Sequence, residues 1–193
     1  RERLGQWQEA VETYKELLEE YPDFPLARAH RAAMANAYYQ SGNYKQADPI
    51  FHSLLGDGDE QKPLYLYRLF RIHLTAGHES AMPIFLELYR EFPHRSEASQ
   101  AWTEVQRKKP LLKEFRSRWT LRDSIARVDV LVREEQYSKA LSEIRSLNQR
   151  GGLDPSQKKY LDLKLGQIYL AQEKSDAAIQ AFQRLVSVDF LEA

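Results

Sequence analysis

Apolar residues in this chain recur three and four positions apart, and they do so in the same register several times over. Gly5-Gln-Trp7-Gln-Glu-Ala10, Gly42-Asn-Tyr44-Lys-Gln-Ala47 and Glu135-Gln-Tyr137-Ser-Lys-Ala140 each place a turn residue, an aromatic two places on and an alanine three later. Four positions after each alanine stands a large residue, Tyr14, Phe51 or Ile144, and three further on a leucine, Leu17, Leu54 or Leu147. At 3.6 residues per turn these fall on one face of a helix. The spacing therefore predicts a helix after each turn phrase, with an alanine wherever a neighbouring helix must cross closely.

Looser copies follow the same grammar. Gly77-His-Glu79-Ser-Ala-Met82 leads to Leu86 and Tyr89, and Glu173-Lys-Ser175-Asp-Ala-Ala178 leads to Phe182 and Leu185. The helix upstream of a turn repeats as well: Met34-Ala35 with Tyr38, Leu69-Phe70 with His73, and Leu165-Gly166 with Tyr169, where a small second member lets two helices approach. Pro22 and Pro93 stop second helices, because proline cannot continue the hydrogen-bond ladder. Helical hairpins of this kind bury their apolar faces only by stacking, which points to function in a surface and not in a catalytic pocket.

These residues resemble the tetratricopeptide-repeat family, in which a Leu-Gly and Tyr helix is followed by a Tyr, Ala, Phe/Tyr and Pro helix. The resemblance covers residues 5–93 and 120–186, with turn-to-turn intervals of 37, 35 and 38 residues. It implies an all-α fold, a right-handed α-solenoid of ten or eleven helices, in which Ala10, Ala47, Ala140 and Ala178 are buried at helix crossings. The expected organisation is repeats over residues 1–107, the first of them truncated, then two further hairpins over residues 120–193. Between them, residues 108–119 read as an irregular basic connector in which Pro110 blocks a continuous helix and Trp102, Phe115 and Trp119 are covered at a joint. The apolar run through Phe182, Leu185, Val188, Phe190 and Leu191 reads as an end that a further helix or domain covers.

With 42% hydrophobic and 29% charged residues and no apolar stretch near bilayer length, no membrane span is expected. The absence of cysteine excludes disulfides and thiolate zinc sites. Net charge is zero but unevenly spread: residues 1–60 hold 11 acids and 6 bases, residues 61–127 hold 7 acids and 13 bases. Lys108, Lys109, Lys113, Arg116, Arg118 and Arg122 form a candidate basic patch for an anionic ligand, with Phe115 and Trp119 as stacking rings. The bland reading is a solvated connector. Nucleic acid is not the expected partner, since such modules carry net positive charge.

Catalytic chemistry is not legible. The five histidines show no His-x-x-x-His spacing, and His73 at the ring position of a repeat helix reads as packing. No phosphate loop, calcium hand or nucleophile elbow is present, and no metal or cofactor is expected. The family resemblance instead implies an inner groove lined by the first helix of each hairpin. Carried over residue by residue, its candidate contacts are Asn36, Tyr39, Tyr67, Arg71, Asp129, Tyr160, Lys164 and Gln167, a mixture suited to an extended peptide or a sugar chain. Ala32 stands where the family's chaperone-tail clamp wants its first lysine, which argues against a chaperone adaptor.

A narrower resemblance is carried by Tyr21-Pro-Asp-Phe-Pro-Leu-Ala27, Pro110, Leu121-Arg-Asp-Ser-Ile-Ala-Arg127, Gly152-Leu-Asp-Pro155 and Leu165-Gly-Gln-Ile-Tyr169. These look like the helical superdomain of bacterial soluble lytic murein transglycosylases. That likeness implies a periplasmic module that frames an adjacent catalytic domain or contacts peptidoglycan. Glu79-Ser80 matches the catalytic dipeptide of that family only by chance, so Glu79 is expected to be inert. The alternative is a scaffold that binds proteins or peptides in envelope assembly.

Overall fold

A computed structural model describes residues 2–22, 26–56, 59–77 and 80–187. They form eleven α-helices and, among the described residues, no strand. In chain order these are α1 (Glu2–Glu20), α2 (Ala27–Gln40), α3 (Tyr44–Ser53), α4 (Lys62–Ala76), α5 (Ala81–Glu91), α6 (Ser96–Arg107), α7 (Lys109–Arg118), α8 (Leu121–Arg133), α9 (Tyr137–Arg150), α10 (Pro155–Ala171) and α11 (Ser175–Ser187). The chain is an α-solenoid of helical hairpins, divided into two compact units, residues 1–116 and 117–193. The expectation for Phe190 and Leu191 falls outside the described residues.

From α1 to α6 each helix packs on the next, and α4 also meets α6, the neighbour relation that stacked hairpins create. Phe51, Leu69, Ala35 and Ala47 are fully buried in one continuous core, to which α4 adds Tyr65. Ala47, Ala140 and Ala178 are buried as the register requires. Ala10 is only half-buried, since α1 packs chiefly on α2 at the outer edge of the described stack. Gly5 does not mark a turn either; α1 runs straight through it, a tolerable cost of about 1 kcal/mol relative to alanine.

The other turns share one geometry. Gly42, Gly77, Glu135 and Glu173 all have positive φ, between 56° and 79°. Around three of them the chain reverses through the same pair of backbone bonds, as when Gly42 N–H donates to Tyr39 O and Asn43 N–H to Tyr38 O. Glu135 and Glu173 repeat both bonds. At Gly166 on α10, a Cβ would stand 2.2 Å from the Phe182 ring of α11, so only glycine permits this crossing. Phe70 takes the equivalent place in α4 and fills the core itself, with its ring 5.7 Å from Phe85.

Residues 108–119 differ from the expectation of an irregular connector: Lys109–Arg118 is a regular ten-residue helix. Pro110 lies in its first turn, where no intrahelical donor is needed and the fixed φ of proline suits a helix start. The break is confined to Lys108, which is extended at φ −108°, ψ 102°. The three rings are covered, Phe115 and Trp119 almost fully and Trp102 in part. Phe115 packs within the first unit against Trp102, Phe85 and Tyr89, at centroid distances of 4.9 to 5.8 Å. Trp119 is buried in the second unit, where its indole N–H donates to Ser124 Oγ at 2.8 Å.

Two helices of the second unit, α8 and α10, start with side-chain caps. Thr120 and Asp123 form a reciprocal capping box at α8, and Asp154 with Gln157 does the same at α10, where Pro155 occupies the first turn. Val128, Leu131, Ala140, Ile144, Leu161 and Ile168 form its core.

Candidate functional site

Alternate helices of the first unit bring polar and aromatic side chains together. Tyr39 comes from α2, Tyr67, Arg68 and Arg71 from α4, and Glu104 from α6. The Tyr67 hydroxyl donates to Glu104 Oε1 at 3.0 Å, and Arg71 Nη1 lies 3.3 Å from the same oxygen and 3.4 Å from the Tyr67 oxygen. This network is internally satisfied, with one cation facing one carboxylate. Burial pushes the Tyr67 phenol above its ordinary value, while the hydrogen bond from Arg71 works the other way.

Arg68 is different. Its guanidinium carbon stands 5.4 Å from the Tyr39 ring centroid and 5.6 Å from that of Phe51, so the cation is held by two aromatic faces. Its Nη1 is sealed from solvent without a hydrogen-bond partner among the described residues, and Asn36 Oδ1 on α2 is in the same condition. Burial pulls the Arg68 guanidinium below its ordinary value, with Tyr39 and Tyr65 opposing. Tyr39 is itself raised, by burial first, against the nearby charge of Arg71. The site therefore carries a half-buried cation that its own walls do not neutralise.

The second unit repeats the satisfied arrangement. The Tyr160 hydroxyl of α10 donates to Asp129 Oδ1 of α8 at 2.6 Å, Lys164 Nζ lies 3.0 Å from that oxygen, and the ammonium sits 5.0 Å from the Tyr160 ring. Tyr67 with Arg71 and Tyr160 with Lys164 are the same four-residue spacing on a first helix, each answered by an acid from the neighbouring first helix. Gln167 is exposed and outside this network.

Lys108, Lys109, Lys113 and Arg116 are exposed in the first unit, and Arg118 and Arg122 are exposed in the second. Phe115 and Trp119, offered as stacking rings for such a patch, are each only 8% exposed and present little face to a ligand. Glu79 lies outside the described residues.

Sequence reasoning missed Arg68, Glu104 and one polar cluster. His73 was expected to pack; its Nε2 instead lies 2.6 Å from Asp48 Oδ1 and its Nδ1 meets Ser80 Oγ. His52 stands beside them, its ring 5.9 Å from that of His73. The available signal was Asp48 and His52 four residues apart on a helix, which a search for paired histidines passes over.

The tetratricopeptide-repeat family matches this sequence twice, over residues 3–77 and residues 160–188. The chain contains tetratricopeptide repeats. Both matches are to the repeat itself, and the first spans α1 to α4, which carry Tyr39, Tyr67, Arg68 and Arg71. Comparison with curated proteins finds no match.

Proposed function

We propose that this chain is a non-catalytic scaffold whose first unit binds an extended peptide or protein segment through an acidic group placed at Arg68. Tetratricopeptide repeats suit protein and peptide partners, and the carrying observation is the guanidinium held over Tyr39 and Phe51 with no carboxylate beside it among the described residues. A half-buried charge without a counter-ion is costly to the free protein, and an incoming carboxylate repays that cost. Arg71 is not the anchor, because Glu104 already neutralises it.

A peptide array of acidic segments and their Gln or Asn counterparts, probed with the purified chain, tests this reading. Acidic members should bind and their neutral counterparts should not. Arg68→Gln should weaken the selected peptides by at least about thirtyfold, the scale of truncating one partner of a desolvated charge pair. The same variant should be no less heat-stable than the parent, because it removes an unpaired charge. Equal binding of acidic and neutral peptides, or an unchanged affinity in Arg68→Gln, would overturn the proposal.

A further inference from the structure

We propose that Asp48, His52 and His73 form a binding site for a divalent first-row transition ion, zinc foremost, which clips α3 to α4. The three come from two hairpins: Asp48 and His52 lie one turn apart on the second helix of one, and His73 on the first helix of the next. One ligand atom from each residue lies within 4.8 Å of the other two. His73 Nε2 is 2.6 Å from Asp48 Oδ1, and His52 Nε2 is 3.9 Å from Asp48 Oδ2. A tetrahedral zinc with arms of about 2.0–2.2 Å sets its ligand atoms about 3.3–3.6 Å apart. Both separations therefore reach zinc geometry with side-chain adjustments, without moving a helix.

Orientation and access support the same reading. A ligating imidazole is commonly fixed by an oxygen at its second nitrogen, and Ser80 Oγ holds His73 Nδ1 while Nε2 points at the carboxylate. The two rings are steeply inclined, at 76°, so their nitrogens converge from different directions onto Asp48. His73 is the inner ligand with 14% of its side chain exposed, Asp48 is intermediate at 30% and His52 stands at the rim at 46%. That gradient gives an ion an entry path and leaves a fourth position for water. Tyr44, Lys45, Ile72 and Ala76 line the adjoining depression, and Lys45 is exposed to solvent. Two imidazoles with one carboxylate favour zinc and its neighbours over calcium or magnesium, which take oxygen ligands. Without an ion the Asp48–His73 hydrogen bond joins the same two atoms, so ion and proton compete for one place.

The test uses the whole chain stripped with a chelator and titrated with zinc chloride alone by calorimetry, with cobalt(II) as the spectroscopic probe. One equivalent should bind, and the cobalt complex should show the intense visible bands of low coordination number. His52→Ala, at an exposed position that leaves the core intact, should weaken zinc at least tenfold with the helical circular dichroism unchanged; His73→Gln should do the same. Ser80→Ala, which touches no ion, should cost about tenfold through the orientation of His73. Zinc should raise the melting temperature of the parent and leave that of His52→Ala where it was. His30→Ala is the control and should bind as the parent does. Absence of a stoichiometric equivalent, or equal affinity in His52→Ala and the control, would overturn the site and establish the cluster as a hydrogen-bonded clasp.

Discussion

At the scale of single residues, paired charges of this chain differ in how well they repay their burial. Arg71 and Lys164 each meet a carboxylate at about hydrogen-bonding range, whereas Glu143 on α9 has its cation, Arg127 Nε, at 3.6 Å. Burial accordingly wins and raises the Glu143 carboxyl above its ordinary value, with the charges of Arg127 and Arg150 offsetting only part. The sign of the consequence follows from proton binding. Between the ordinary carboxylate value, about 4.3, and the raised folded value, the folded state holds more protons than the unfolded one, so stability falls as pH climbs through that window and is level above it. Glu143→Gln should remove this loss: its melting temperature should gain on that of the parent as pH rises out of the ordinary carboxylate range. Parallel melting curves across that rise would show that Arg127 compensates the carboxylate fully. The same comparison of partner distances singles out Arg68, which no helical periodicity marks. It neighbours Tyr67 in sequence, yet its side chain reaches Tyr39 of α2 and Phe51 of α3, contacts that only the packed hairpins create.

At the scale of elements, the turn register carries more information than the helices do. Four turns hold a left-handed residue at the same place, two of them glycine and two glutamate. A side chain in that region costs about 1 kcal/mol or more, and nothing stands within 4 Å of a Cβ at Gly42 or Gly77 to add a packing penalty. Gly77→Ala should therefore lower stability by about 1 kcal/mol, while Glu135→Gly and Glu173→Gly should raise it by a few tenths to about 1 kcal/mol, read as shifts of the denaturant midpoint at constant slope. A destabilising Glu135→Gly would mean that the glutamate side chain contributes contacts outweighing its strain. These turns, and the alanines at Ala47, Ala140 and Ala178, were legible because each is set by local geometry that recurs. Gly5, and the length of the irregular stretch around Pro110, were misread for the converse reason: the helix is interrupted there, but only at Lys108. Glycine and proline permit a break without requiring one, and the first turn of a helix accepts proline without loss of a hydrogen bond. The Asp48, His52 and His73 cluster was hidden because it joins two helices across 25 positions of sequence, and that pairing is a product of stacking.

At the scale of the whole molecule, the two units have separate cores. Phe51, Leu69 and their neighbours fill the first, and Val128, Leu131 and Ile144 the second, with α7 ending where the division falls. Nearest-neighbour stacking makes the stability of such a chain a sum of local terms, so damage to one core need not spread to the other. The Arg68 site lies wholly in the first unit, and the Asp129, Tyr160 and Lys164 network wholly in the second. Leu131 is 1% exposed, and Leu131→Ala should cost about 2–5 kcal/mol in the second core. Hydrogen exchange read by mass spectrometry should then quicken across α8 to α11 while α2, α4 and α5 keep the protection of the parent. Peptide binding at Arg68 should be retained in the same variant at a temperature where the second unit is already open. Exchange that quickens equally in α4 and α9 would instead mean that the chain unfolds as one cooperative body, and a Leu131→Ala variant that loses the peptide would place part of the binding surface beyond residue 116.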